Sequence, residues 1–331
     1  MPYNYSPIIS VIMPVFNSSR FLKEAIDSIL DQSFSSFELL IVDDASSDSS
    51  PDIIRSYKDN RIVFLKNETN MGIAFSLNYA IQSAKGEFLA RMDADDVMLP
   101  RRLEMQVKYL QSHLEVGVVG TKAIGINSDG NQFRNFFVSR TNKHIKSRLF
   151  FECSFIHPSV MLRKSVLNQN LINYDLSYSH AQDYRLWVDL SDKTEFYNLP
   201  MKLLKYRFHD SAISCKKKND RNLQFELALR TLSEMYKKND IMLSQEELVM
   251  IVAATLGMLC NIEQDYQKFP KVARKVMLQT PKQYSKILVL RGFAKLWVSN
   301  SRLKTWNHNS IILNIIGVLE IGLARIQRKY I

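Results

Sequence analysis

Along the first hundred positions the apolar residues switch between two periods. Continuous apolar runs at 7–17, 37–42, 61–65 and 88–92 have the length and β-branched content of buried strands. Between the first two, Phe21, Leu22, Ala25, Ile26, Ile29 and Leu30 recur at three- and four-residue steps, which predicts a helix opening near Ser19 with one buried face. Further helices are predicted around 51–58, from Gly72 through Tyr79 and Ala84, and from Pro100 through Leu110. A strand is expected at 117–121, and Asn127-Ser128-Asp129-Gly130-Asn131 reads as a hairpin turn between two extended segments. From Asn219 onward helical patterns dominate, with breaks expected at Pro270 and Pro281.

Strands alternating with helices predict an α/β fold: a wound, mostly parallel sheet followed by a mainly helical C-terminal extension. Such sheets bind ligands beyond the carboxyl ends of their strands. Phe16-Asn17, Asp43-Asp44 and 93–96 all fall at strand ends, so they should meet on one edge. In Arg91-Met92-Asp93-Ala94-Asp95-Asp96, three carboxylates follow directly on an apolar strand. Like charges held this close repel each other and resist desolvation. A divalent cation with oxygen ligands, Mn²⁺ or Mg²⁺, offsets that cost, and a solvated acidic turn that caps the next helix is the alternative. For Arg91 an ion pair with these acids competes with a place on the ligand edge.

Composition changes this picture in the second half. Of 331 residues, 1–200 carry a net charge of −2 and 201–331 a net of +13. A basic half calls for an anionic partner: nucleic acid, an anionic membrane surface or a phosphorylated substrate. Cys153, Cys215 and Cys260 form no C-x-x-C pair, which argues for a reducing compartment and against a disulfide framework or zinc site. Residues 1–6 show neither a basic n-region nor an apolar h-region, so a cytoplasmic location is expected. In the run 311–326, Ile312, Ile315, Leu319, Leu323 and Ile326 share one helical face. It is too short and too charged for a membrane span; it reads as an interfacial helix with basic anchors or as a terminal helix docked on the core or on a second subunit.

Several motifs occur together in a known order: Ser10-Val11-Ile12-Met13-Pro14-Val15-Phe16-Asn17, Ser28-Ile29-Leu30-Asp31-Gln32-Ser33-Phe34, 37–48, Asn70-Met71-Gly72, 86–96 and 100–106. His157-Pro158-Ser159-Val160-Met161, Gln182-Asp183-Tyr184-Arg185-Leu186-Trp187 and Tyr206-Arg207-Phe208-His209 follow. With these, residues 7–215 resemble the family 2 inverting glycosyltransferases. The resemblance implies a nucleotide-sugar-binding catalytic domain over 1–215 and a basic, helical region over 216–331 that associates with membranes or oligomerises.

It also implies roles. Pro14, Phe16 and Asn17 would border the base pocket, with the Phe16 ring, where the family often has Tyr, stacking on the base. Asp44 would accept a hydrogen bond from a uracil N–H, N-capping of the next helix being its structural alternative; Glu24 would be structural or a minor nucleotide contact. Asp93 would lie near ribose and metal, and Asp95 would bind the metal that bridges the diphosphate. Asp96 would contact the donor sugar or cap the following helix. Asp183 would be the catalytic base, next to Gln182 where the family usually has Glu. Arg207 and His209, ahead of the basic stretch 214–218, would hold the diphosphate. His157 would shape the acceptor-side loop, and Trp187 would line the acceptor site or sit in the core.

The implied activity is metal-assisted, inverting transfer of a sugar from a UDP-sugar to a hydroxyl of a glycan or lipid-linked glycan. Its setting would be polysaccharide or lipopolysaccharide assembly, peripheral to the inner face of the cell membrane. A nucleotidyltransferase acting on sugar phosphates is the other enzyme class, but no glycine-rich phosphate loop follows the first strand, and a dehydrogenase fails for the same reason. A nucleic-acid-binding protein would leave Asp93, Asp95 and Asp183 without a task.

Overall fold

A computed structural model of the chain describes residues 6–210, 220–256 and 263–300. The basic stretch 214–218 and the apolar run 311–326 lie outside the described residues. The chain divides into two compact units, Met1–Ile145 with Ser154–Asp220, and Lys146–Cys153 with Arg221–Ile331.

The first unit begins as the apolar pattern predicts. Strand β1 (Ile9–Val15) leads into helix α1 (Ser19–Leu30), β2 (Phe37–Asp43), α2 (Ser50–Ser56), β3 (Ile62–Lys66), α3 (Ile73–Ser83) and β4 (Phe88–Arg91). These strands lie parallel in the order β3-β2-β1-β4. Both faces of β2 are covered, so all its residues are buried and its sequence shows no alternation. Helix α1 buries Phe21, Leu22, Ala25, Ile26 and Ile29, the face read from the periodicity.

Beyond β4 the sheet becomes mixed. β5 (Val97–Met98), α4 (Arg102–Ser112), β6 (Val116–Ile126) and β7 (Gln132–Phe136) follow, and the expected hairpin turn joins β6 to β7. After α5 (Asn142–Arg148) come β8 (Met161–Arg163), α6 (Lys164–Asn170), α7 (Gln182–Leu190) and β9 (Glu195–Arg207). β8 joins β4 to β6 through antiparallel pairs, β9 runs parallel to β6, and β5 pairs antiparallel with β9. β9 carries no clean alternation because Pro200 lies where its register against β6 shifts, between the pairs Thr121–Leu199 and Lys122–Lys202.

Two buried polar brackets fix the strand ends that matter. Arg102, fully buried, donates to the carbonyls of Arg91 (2.7 Å) and Val160 (3.1 Å) and to Gln106 Oε1 (3.0 Å). Gln106 donates in turn to the carbonyls of Val119 and Ser159, each at 2.9 Å, so α4 holds β4, β6 and the turn before β8 together. At the other end, Glu38 accepts from Ser10 Oγ and from the Lys85 N–H, both at 2.6 Å. Gly86 passes so close to β1 that a Cβ there would meet Ser10 N at 2.5 Å and the Ile9 carbonyl carbon at 2.7 Å. Because those neighbours are backbone atoms that cannot swing aside, Gly86→Ala is expected to lose about 1–3 kcal/mol of stability, read from urea unfolding. An unchanged unfolding midpoint would show that the close approach is not needed.

The second unit is helical: α8 (Arg221–Lys238), α9 (Gln245–Thr255), α10 (Glu263–Gln279) and α11 (Lys286–Asn300). They gather with the segment Lys146–Cys153, where Tyr236 donates to the Phe150 carbonyl (2.6 Å) and the Phe151 ring packs on Gly292 and Phe293. Helix α9 starts with a reciprocal capping box between Ser244 and Glu247. The break expected at Pro270 does not occur; α10 runs through it. Proline costs that helix one backbone hydrogen bond, and burial of Phe269, Val272, Ala273, Val276 and Met277 around it offsets the loss. Among the described residues no helix is long and apolar enough to cross a membrane.

Candidate active site

The strand ends of the first unit meet as the topology requires. Asn17, just past β1, has φ 47°, a left-handed conformation that asparagine tolerates. Its side chain accepts from the Ser47 N–H (2.8 Å), and its own N–H donates to Ser46 Oγ (2.9 Å). The loops after β1 and β2 are thereby tied into one rim. Asp44, at the end of β2, does not cap α2; Asp48 takes the Ser50 N–H there (2.9 Å). Instead the buried Asp44 carboxylate accepts from Asn67 Nδ2 (2.7 Å) and from the N–H groups of Met71 and Gly72 (2.8 Å each). Gly72 supplies the φ of 86° that lets the chain turn over this carboxylate into α3. The Asn70-Met71-Gly72 motif is therefore the loop that Asp44 fastens.

This rim bounds a cavity of about 560 Å³. Pro14, Phe16, Asn17, Asp44, Asp93, Asp95 and His209 all line it, seven of the residues singled out from sequence. Phe16 is 48% exposed, which leaves side-chain surface on the cavity open to a ligand. Leu176, Tyr178 and Ser179 complete the far wall from the irregular segment before α7. No periodicity marks that segment, so nothing in its residues predicts a place in this wall.

The acids close the floor. Ligand oxygens of Asp93, Asp95 and Asp96 lie within 4.8 Å of one another. Arg91, almost fully buried, forms an ion pair with Asp93 and is not in the cavity wall, so the ion-pair reading of Arg91 is the one the structure shows. Asp95 Oδ2 pairs with His209 Nε2 at 2.8 Å. Asp96 is buried and caps no helix; its Oδ1 accepts from the Arg207 N–H (2.8 Å), while its Oδ2 has no partner among the described residues. Burial first, then the charges of Asp95 and Asp93, hold the Asp96 carboxyl well above the ordinary carboxylate range. Burial raises Asp93 too, against the pull of Arg91, with Asp95 and Asp183 adding to the rise. An orphaned buried carboxylate oxygen in a set of hard oxygen donors fits a divalent cation such as Mg²⁺ or Mn²⁺.

These raised values have a consequence for stability. A carboxyl whose folded pKa exceeds its unfolded value binds its proton more tightly when folded, so stability falls as pH rises from the unfolded through the folded value. In chelator, melting temperature is expected to fall across that window and to fall less in Asp96→Asn. Equal slopes in the two proteins would remove Asp96 as the source.

Arg207 lies behind the acids, not against the cavity. Its Nε donates to the Asp95 carbonyl (2.7 Å), its Nη1 to the carbonyls of Asn127 and Ser128 (3.2 and 3.3 Å), and its Nη2 pairs with Glu24. It holds the backbone of Asp95 and does not line the cavity, unlike the diphosphate-facing place expected of it. Glu24, its partner in that pair, does not line the cavity either. His157 also stays out of the cavity wall: it hydrogen-bonds Tyr174 Oη at 2.7 Å, and burial, then the Arg91 cation, keeps the imidazole neutral by holding its pKa well below the usual value. Trp187 is fully buried, 4.9 Å from the Phe155 ring, so it sits in the core. Gln182, buried, and Asp183 open α7. Asp183 is half-buried, and its charge raises the pKa of both Asp93 and Tyr174, which places it beside the acid cluster.

A cavity and clustered carboxylates at the strand ends of an α/β sheet mark the edge where such sheets take a ligand. Comparison with known proteins goes further. The profile of glycosyl transferase family 2 matches residues 10–171. An uncharacterised glycosyltransferase of Methanocaldococcus jannaschii is 35% identical over 207 residues, 61% of this chain and 71% of that protein. The Escherichia coli enzyme WfgD, a UDP-Glc:alpha-D-GlcNAc-diphosphoundecaprenol beta-1,3-glucosyltransferase, is 30% identical over 222 residues, 66% of this chain and 85% of its own. The crystal structure of S. aureus TarS residues 1–349 with UDP-GlcNAc shares the fold, with a TM-score of 0.60 at 19% identity over 88% of this chain and 89% of that one. The chain belongs to glycosyl transferase family 2, which sets aside nucleotidyl transfer as its enzyme class.

Proposed function

We propose that the chain is an inverting glycosyltransferase that takes a sugar from a UDP-sugar and passes it to a hydroxyl of a glycan carried on a lipid. The observation that carries this reading is the convergence of Phe16, Asp44, Asp93 and Asp95 on one cavity, with Asp183 beside Asp93. Phe16 stacks on the base. Asp44 has about four acceptor positions, and three of them are taken by Asn67, Met71 and Gly72. One free position suits the single imide N–H of uracil better than the several donors on the edge of guanine. WfgD uses UDP-Glc, and TarS was crystallised with UDP-GlcNAc; both support a UDP donor.

Asp93, Asp95 and Asp96 would hold a Mg²⁺ or Mn²⁺, which neutralises charge on the departing diphosphate. His209 orients the Asp95 carboxylate, and Arg207 fixes its backbone. Asp183 takes the proton of the acceptor hydroxyl as that oxygen bonds to the anomeric carbon and the carbon–oxygen bond to UDP breaks. Attack from the face opposite UDP inverts the anomeric centre, and no covalent enzyme intermediate forms. The diphosphoundecaprenol acceptor of WfgD supports a lipid-linked acceptor, and the net charge of +13 on residues 201–331 fits work at an anionic membrane surface. The first unit is the catalytic domain in this reading, and the basic helical region serves membrane association.

Calorimetric titration with UDP, GDP, CDP and ADP, each with and without Mn²⁺, tests the donor site. Metal-dependent binding of UDP is expected, and Phe16→Ala should weaken it by about tenfold, as loss of base stacking does. Selective binding of GDP, or of no nucleotide, would overturn the UDP assignment.

A further inference from the structure

Arg134 stands exposed on the hairpin formed by β6 and β7, and among the described residues no carboxylate pairs with it. Its guanidinium carbon lies 4.1 Å from the centroid of the Phe136 ring and 4.4 Å from that of Phe208. Those two rings are parallel to within 1°. Phe133, 53% exposed, flanks the cation at 5.6 Å and meets Phe208 edge-on at 5.2 Å.

Two local features build this cluster. The ladder between β6 and β7 slips by one residue: Gly125 faces Arg134, but Ile126 faces Gln132. Phe133 is the extra residue of that bulge, which turns it toward the same rings as Arg134. Gly125 supplies the room, since a Cβ there would meet Arg134 Cγ at 2.8 Å and Phe136 Cε2 at 3.0 Å.

The cluster leads back to the acids. Tyr206 lies edge-on to both Phe208 (5.1 Å) and Phe136 (5.7 Å). Its phenol pKa is raised by burial first and then by the charges of Asp93, Asp96 and Asp95, so it stands within their electrostatic reach. An aromatic strip thus connects the acid cluster to an exposed, unpaired cation. Stacking holds a guanidinium flat and leaves its in-plane N–H donors free, the geometry that meets two phosphate oxygens side by side.

The geometry points to Arg134 and Phe133 as the recognition site for the diphosphate of a lipid-linked acceptor, the guanidinium taking the diphosphate oxygens and the exposed ring meeting the first carbons of the hydrocarbon chain. A bare anion site would not need an apolar ring at its rim, and a sugar-only platform would not need the cation. This assignment rests on the reading of the chain as a glycosyltransferase with a lipid-borne acceptor.

The test uses the full chain with UDP and Mn²⁺ at saturation, so that the donor site is filled, and titrates geranyl diphosphate, geraniol and inorganic pyrophosphate. Geranyl diphosphate is expected to bind, geraniol not to bind, and pyrophosphate to bind more weakly. Arg134→Gln should weaken geranyl diphosphate by about tenfold or more, the cost of a charged hydrogen-bonded pair, and Phe133→Ala should weaken it without affecting pyrophosphate. UDP affinity should be unchanged in both variants. No binding of geranyl diphosphate, or equal binding by Arg134→Gln, would overturn the assignment; pyrophosphate binding as tightly as geranyl diphosphate would overturn the role of Phe133. If the wild type fails to bind UDP, the donor reading fails instead, and the two failures are told apart in the same experiment.

Discussion

Asp183→Asn is expected to bind UDP and Mn²⁺ as the wild type does and to lose sugar transfer by about 10²–10⁴-fold, the usual contribution of a positioned general base. The amide keeps the size and hydrogen-bonding shape of the carboxylate but cannot take a proton. Asp183 lies in the first turn of α7, and the buried residues of that helix are Gln182, Tyr184, Leu186, Trp187, Val188 and Leu190. The helix should therefore stay in place, and the defect should appear in turnover and not in folding. Its charge also helps to raise Asp93, so the variant should lower the Asp93 pKa and leave metal binding intact or improved. Full activity in Asp183→Asn would remove it as the base.

Asp95→Ala is expected to abolish the metal-dependent part of UDP binding, a loss of ~10²–10³-fold corresponding to several kcal/mol of charge stabilisation. Because Arg207 holds the Asp95 backbone through its carbonyl, the loop should keep its course without the carboxylate. The charge of Asp95 raises both Asp93 and Asp96, so its removal relieves repulsion in the metal-free protein. The expected signature is opposed: donor affinity collapses while the melting temperature in chelator holds or rises. Unchanged UDP affinity with Mn²⁺ present would end the assignment of Asp95 as a metal ligand, and a fall in both quantities would mark the residue as structural.

Much of this site was legible from the chain because its parts sit at predictable places. The wound parallel half follows from apolar period and turn residues, and parallel strands deliver their C-terminal residues to one edge. That logic is enough to bring Phe16, Asp44, Asp93 and Asp95 together. What it cannot supply is the direction of a side chain within the edge. Arg91 and Arg207 belong to the same motifs as the acids, yet both turn inward, where buried carboxylates and carbonyls need cations and donors more than a ligand does. Trp187 shares Asp183's side of α7 one turn on, yet its ring is taken up by the core against Phe155. The second half of the sheet was harder to read because β5 and β8 are two and three residues long, and β9 carries a proline at a bulge. The Leu176–Ser179 wall of the cavity has no local signal, since an irregular segment takes its place from the elements that hold it, here the paired hydrogen bonds of Asn78 with the Tyr174 backbone.

The burial of Trp187 gives the protein an optical reporter. Among the described residues its indole Nε1 has no hydrogen-bond partner, and its buried ring packs against Phe155, surroundings in which tryptophan fluoresces toward the blue. The chain has three tryptophans, and Trp297 and Trp306 both fall in the C-terminal region. With those two replaced by phenylalanine, emission would come from a ring one helical turn from Asp183. Its intensity and colour would then follow α7 as substrates arrive, in real time and without an attached dye.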